Sequence, residues 1–131
     1  MGQMNSFRDL DVYKMAREQS LAIFLITQSF ANDENFSLTD QVRRQVRRSS
    51  RAANALIAES WARRQCAASF THKINEALGE AMETQAWLNH AEDCKYITSS
   101  QHRELDAAWQ SIGAMLNRMI ERAGDFCKHS K

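Results

Sequence analysis

Hydrophobic positions recur along this chain every three or four residues, the period of an α-helix rather than the alternation of a strand. The cleanest seam is Leu105, Trp109, Ile112, Leu116, Met119, Ala123 and Phe126, which steps 4-3-4-3-4-3. Phe70, Ile74, Ala77, Ala81, Thr84 and Leu88 form a second stripe. Val12, Ala16, Gln19, Ile23, Ile26 and Phe30 form a third; Leu38, Val42, Val46, Ser49, Ala53, Leu56 and Ser60 form a fourth. These stripes predict helices near 9–31, 37–64, 67–94 and 99–127. Ser37 with Asp40 reads as a helix N-cap with an acidic partner three residues on, and Thr98 with Gln101, or Ser99 or Ser100, caps the last helix. Residues 31–35 and 95–97 read as turns. Long helices joined by short loops imply an all-α, antiparallel up-down-up-down four-helix bundle. Residues 1–131 make one domain, with 1–8 and 128–131 as loose ends.

Composition agrees. The 131 residues contain no proline and four glycines, too few turn formers for an all-β chain. The apolar fraction of 44% suffices for one core. Three cysteines (66, 94 and 127) with no CxxC read as reduced thiols, and no basic-then-apolar signal opens the chain. The longest apolar run, 21–26, is six residues, far short of the roughly 20 that span a membrane. A soluble, cytoplasmic protein is expected.

Charge changes the picture more. The net charge is only +1, but residues 37–64 hold seven arginines against Asp40 and Glu59. The segment contains a tandem repeat, QVRR at 41–44 and again at 45–48. Four residues add just over one helical turn, so the duplication nearly keeps the face while lengthening the helix. On a helical wheel Arg43, Arg44, Arg47, Arg48 and Arg51 fan out opposite the apolar stripe. Such a fan can follow phosphates as forked donors. It can equally pair with Glu76, Glu80 and Glu83, which lie on one flank of the third helix. No run of aromatics is interleaved with the arginines, so base stacking on single strands is not indicated.

Two features point to self-association. The first helix carries a second apolar set, Tyr13, Leu21, Phe24 and Leu25, away from its core stripe. This set either widens the core stripe or meets a partner chain. The second helix has a small-residue back beyond Arg51, with Asn54, Ala55, Ala58 and Ala62, and Gly79 faces away from the third helix's core stripe. Both would allow close helix approach.

Candidate catalytic chemistry is thin. Cys66, Cys94 and Cys127 lack an assembled base or oxyanion motif. Metal binding is not indicated: the glutamates lie off the core stripe, and no Glu-x-x-His occurs. His72 with Glu76 and His90 with Cys94 are two-ligand coincidences at i, i+4. No cofactor and no small-molecule substrate are expected, and the chain reads as a non-enzyme.

Four stretches in order resemble a known family. They are FRDLDVYKMA at 7–16; FSLTDQVRR at 36–44 with ALIAESWARR at 55–64; GEAMETQAWL at 79–88; and KYI at 95–97 followed by ML at 115–116. They resemble the small bacterial bundle proteins encoded within intervening sequences of large-subunit ribosomal RNA genes, which are sometimes classed as a ribosomal protein. The accessory variability proteins of diversity-generating retroelements look related. The resemblance implies a left-handed bundle assembled as a homopentamer, a basic surface able to bind nucleic acid in the retroelement members, and no known enzymatic activity. The chain departs from the family in its second helix. Asn54 stands where the family often has proline, Leu56 where it has asparagine, and the second QVRR looks inserted. Two readings follow: a homo-oligomer whose arginine face contacts RNA or DNA, or a purely structural oligomer whose arginines are spent in salt bridges.

Overall fold

The computed structural model describes residues 4–30 and 36–127. The predicted turn at 31–35 and tail at 128–131, with residues 1–3 of the lead, lie outside the described residues. A 3-10 turn (Phe7–Asp9) precedes α1 (Asp11–Thr27), α2 (Phe36–Ala62), α3 (Ala67–Asp93), α4 (Ser99–Glu121) and a short α5 (Ala123–Phe126). No strand occurs among the described residues. The fold is the all-α four-helix architecture that the periodicity predicts.

Polar contacts give the direction of α1 against α2 and of α3 against α4, and mark where α2 meets α3. Asn54 Nδ2 donates to Ala16 O (3.3 Å) and Ser20 Oγ (2.7 Å), whereas Arg43 Nε donates to Thr27 O (3.0 Å), so α1 and α2 run oppositely. Ser49 meets Thr84 while Arg48 meets Glu80 across α2 and α3. Gln85 donates to Asp106 and Asn89 meets His102 across α3 and α4. α1 also packs on α4, closing a ring, and neither diagonal helix pair has Cα atoms within 8 Å.

The α3 stripe is as predicted, with all six positions buried and Ala91 extending it. On α4, Leu105, Trp109, Ile112, Leu116 and Met119 are buried, and Thr98 with Gln101 forms the expected capping box. The predicted single helix at 99–127 breaks at Arg122, whose φ of −111° and ψ of 33° are not helical. Ala123 and Phe126 therefore sit on α5, half-buried, and the Phe126 ring stacks on Phe70 at 5.9 Å.

α3 stops in a Schellman motif. Lys95 takes the left-handed conformation (φ 63°), its N–H bonds Glu92 O at 2.9 Å, and Tyr96 N–H bonds Ala91 O at 2.8 Å. Glycine usually fills that position, because a side chain there costs about 1–2 kcal/mol.

Three expectations are corrected. The lead is ordered from Ser6, whose side chain caps the 3-10 turn while Asp9 reaches back, so that Leu10 is buried and Phe7 meets Tyr13 edge-on at 4.9 Å. α1 ends at Thr27 rather than near 31, and Phe30 is buried beyond it against Tyr96, with ring centroids 5.2 Å apart. α2 already includes Phe36 and Ser37, so Ser37 lies inside the first turn, and Asp40 pairs with Arg43 and Arg44 instead of completing a cap.

The buried face of α2 is also rotated toward α1 by roughly 40° from the apolar stripe, at about 100° per residue. Thr39, Ser50 and Ile57 are buried, whereas Leu38 is 43% exposed and Leu56 half-buried. The shift is invisible to a count of apolar residues because hydroxyls take part in it. Ser49, Ser50 and Ser60 lie within hydrogen-bond reach of carbonyls one turn back, which makes burying their hydroxyls cheap. Ile57→Ala is therefore expected to cost about 2–5 kcal/mol, and Leu38→Ala within about 1 kcal/mol. Urea denaturation of the two variants checks this, and the order reverses if the apolar stripe marks the true core.

Candidate nucleic-acid interface

The five arginines of the fan divide into two rows. Arg43 and Arg47 turn toward α1 and are half-buried. Arg44, Arg48 and Arg51 follow one another at i, i+4, i+7 on the outer side and are exposed.

The inner row completes the end of α1. The last four carbonyls of a helix have no partner within it. Here Arg47 Nη2 donates to Phe24 O at 3.4 Å, Gln28 N–H to Leu25 O at 3.3 Å, Ser29 N–H to Ile26 O at 3.2 Å, and Arg43 Nε to Thr27 O at 3.0 Å. Arg43 also donates to Phe30 O, and Arg47 Nε to Thr27 Oγ1 at 2.7 Å. Both guanidiniums lie over aromatic rings, Arg43 at 5.6 Å from the Phe30 centroid and Arg47 at 4.7 Å from that of Phe24. Burial pushes the Arg47 guanidinium below its ordinary pKa, and the positive charges of Arg43 and Arg51 add to this. The negative end of the α1 dipole favours two cations here.

The outer row is less committed. Arg48 donates to both Glu80 carboxylate oxygens at 3.1 Å and also pairs with Glu83, one of the two pairings the sequence allowed for. The bond to Glu80 carries its pKa above the ordinary value, with the charges of Glu80 and Glu83 adding against some desolvation. Glu76 instead meets His72 and Lys73. Arg44 is 74% exposed and its ion-pair partner among the described residues is Asp40, at 3.0 Å, a surface pair of small worth. Arg51 lies 5.7 Å from the Phe24 centroid and has no carboxylate within salt-bridge distance among the described residues. With Gln41, Gln45 and Ala55, the outer row lines an open trough along α2.

The proposed association surface is divided as well. Tyr13 is half-buried against Phe7, and Phe24 lies half-buried beneath Arg47 and Arg51, so both rings are used within the chain. Leu21 and Leu25, one turn apart on α1, are 57% and 54% exposed. Ala55, Ala62 and Gly79 are exposed and Ala58 is half-buried. Apart from its chain neighbours and the backbone of its own helix turn, no described heavy atom lies within 4 Å of where a Gly79 Cβ would stand. Met82, one turn after Gly79, is 58% exposed and was not singled out by the sequence, because a lone methionine outside a stripe gives no periodic signal. Asn54 turns toward α1 through its bonds to Ser20 and Ala16 and is not part of the outer back. Among the described residues, no three His, Cys, Asp or Glu side chains gather as a metal site, and no helix is long and apolar enough to cross a membrane.

Arg47→Ala removes two charged donors from part-buried acceptors and is expected to cost about 1–3 kcal/mol. Arg44→Ala should stay within about 0.5 kcal/mol. Thermal melts of the two variants measure the difference; equal losses would mean that the rows are not distinct.

Comparison with known proteins bears on the whole chain. No curated protein matches it. A crystal structure of a protein of unknown function from the S23 ribosomal protein family of Bacteroides thetaiotaomicron VPI-5482 superposes with a TM-score of 0.73 at 27% identity, covering 84% of this chain and 98% of that one. A family model for the 23S rRNA-intervening sequence protein matches residues 8–118. With that match running from the 3-10 turn into the last turn of α4, the chain belongs to the 23S rRNA-intervening sequence protein family.

Proposed function

We propose that this protein is a non-enzymatic, homo-oligomeric helical bundle that contacts the phosphate backbone of RNA or DNA through the outer row of α2, as an accessory to a larger nucleic-acid assembly. The observation that carries the reading is the exposure of Arg44 and Arg51. They flank Arg48 over seven residues, about 10 Å of helix at 1.5 Å per residue. Guanidiniums held outward on a rigid helix suit phosphate oxygens, and nothing in the row reads bases. Binding of this kind is independent of sequence and sensitive to salt.

Association rests on Leu21 and Leu25. Two exposed leucines one turn apart, on a helix whose other face is buried, suit a helix–helix contact with a second copy. A homopentamer is the expected assembly from the family resemblance. Several copies would present several arginine rows, raising affinity through effective concentration.

A structural reading also has an observation in its favour. Arg43, Arg47 and Arg48 already hold partners within the chain. On that reading Arg44 and Arg51 are solubilising charges alone.

The discriminating experiment titrates RNA and duplex DNA at several salt concentrations. Replacing Arg44 and Arg51 with glutamine should lower affinity and flatten the slope of log K against log salt by up to about 1.8 on duplex DNA, at about 0.9 per phosphate neutralised. Melting and oligomer size should not change. A parent protein without measurable affinity at low salt would sink the nucleic-acid reading. Separately, Leu21→Glu with Leu25→Glu is expected to reduce the assembly to a folded 15.0 kDa monomer by light scattering; an unchanged mass would place the interface elsewhere.

A further inference from the structure

At the end of the bundle opposite the α1 clamp, three chain segments meet. α2 finishes with Arg64 stacked over Trp61 at 3.5 Å, its Nε bonded to Trp61 O at 2.8 Å. Cys66 is the N-cap residue of α3, and its carbonyl accepts the Phe70 N–H at 2.9 Å. α5 folds back here, stacking Phe126 on Phe70, and Cys127 follows as its C-cap. Cys66 stands one helical turn before Phe70, and Cys127 directly follows Phe126, so the ring stack joins the two cysteine-bearing segments.

The two thiols differ as an attacking and a resolving pair should. Cys66 is exposed, and the N–H and hydroxyl of Ser69 hold its thiol below the ordinary value. These contacts are electrostatic rather than a formed cap hydrogen bond. A thiolate at a helix N-terminus is the reactive form. Cys127 is half-buried, and burial pushes its thiol up; a charge on Cys66 adds to the rise, and Arg64 opposes it. Cys127 therefore registers charges on the facing segment, whereas Cys66 is governed by the first turn of its own helix.

We propose that Cys66 and Cys127 are a redox-active dithiol that closes to an intrachain disulfide by exchange with a low-molecular-weight disulfide. The Cys66 thiolate attacks one sulfur of that disulfide, forming a mixed disulfide and expelling one thiolate. Cys127 then loses its proton and attacks the Cys66 sulfur, expelling the second thiolate. Two protein thiols are oxidised, and one small disulfide is reduced to two thiols. Cys127 lies past the end of α5 in an extended conformation, with φ −82° and ψ 146°, so its side chain can turn toward α3 without unwinding a helix. The closed bond would tie α5 to the start of α3. Cys94 is excluded within one chain. It caps the far end of α3, about 42 Å from Cys66 at 1.5 Å per residue, against the roughly 7 Å between Cα atoms that a disulfide tolerates.

The test uses the full chain in glutathione buffers of rising oxidised-to-reduced ratio, followed by trypsin without reduction and mass spectrometry. The expected product links peptide 65–73 to peptide 123–128 with loss of two hydrogens. It should exceed any linkage to Cys94 at least about tenfold, because the native fold alone supplies the effective concentration. Cys94→Ser should leave the product unchanged, whereas Cys66→Ser and Cys127→Ser should each abolish it. Circular dichroism confirms that the variants fold. A glutathione adduct on Cys66 that Cys127 never resolves would overturn the proposal. So would a Cys66–Cys66 link between copies, or a comparable yield of links to Cys94.

Discussion

Where α1 stops, and what takes its last carbonyls, sets the relation between the first half of the bundle and the second. A helix that ends among buried residues must place four carbonyls. Two of them are met by the chain itself, through Gln28 and Ser29, in tightened turns. The other two take Arg43 and Arg47, reaching across from α2, beside the Phe30 N–H on Thr27 O and the Thr27 hydroxyl on Phe24 O. Because each guanidinium also lies over an aromatic ring, the contact fixes rotation and height together. Phe30 then stays at the bundle end, packed on Tyr96 of the α3–α4 turn. One clamp thus connects α1, α2 and the turn between α3 and α4.

The tandem QVRR repeat has a physical meaning in this light. Its two copies are displaced by just over one turn, so each supplies the same three roles. Val42 and Val46 are both 1% exposed, and Arg43 and Arg47 both hold α1. Arg44 and Arg48 both point outward, the first toward solvent and Asp40, the second toward α3. The repeat is built into the core register as well as lengthening the helix. A basic face can therefore be structural on one side and available on the other, with about 100° of helix rotation between consecutive residues deciding which.

Much of this was legible in the sequence. The stripes of α3 and α4 are strongly apolar and contain few hydroxyls, so periodicity alone places Phe70, Leu88, Trp109 and Leu116 in the core. The pairing of Arg48 with Glu80 and Glu83 follows from charge and spacing, and Thr98 with Gln101 from the capping pattern. What could not be read depended on partners distant in sequence. Thr39 and Ser50 are buried although polar, and the latter's carbonyl serves Ser20 on another helix. Arg43 and Arg47 lie about 100° from Arg44 and Arg48 on a helical wheel, but both rows fall on the polar side, and which of them meets α1 shows only once the end of α1 is located. The break at Arg122 lies inside an unbroken heptad pattern, so only the return of Phe126 onto Phe70 reveals it.

The division of the arginines into an inner clamp and an outer exposed row is the central claim, and side-chain reactivity measures it most directly. The native protein is treated briefly with an arginine-selective dicarbonyl, digested with chymotrypsin, and the modification of each arginine is quantified by mass spectrometry. Arg44 and Arg51 should react fastest, Arg48 more slowly because its carboxylate partners hold it, and Arg43 and Arg47 slowest of all. In denaturant the five rates should converge. Native rates for Arg43 and Arg47 equal to that of Arg44 would contradict the account.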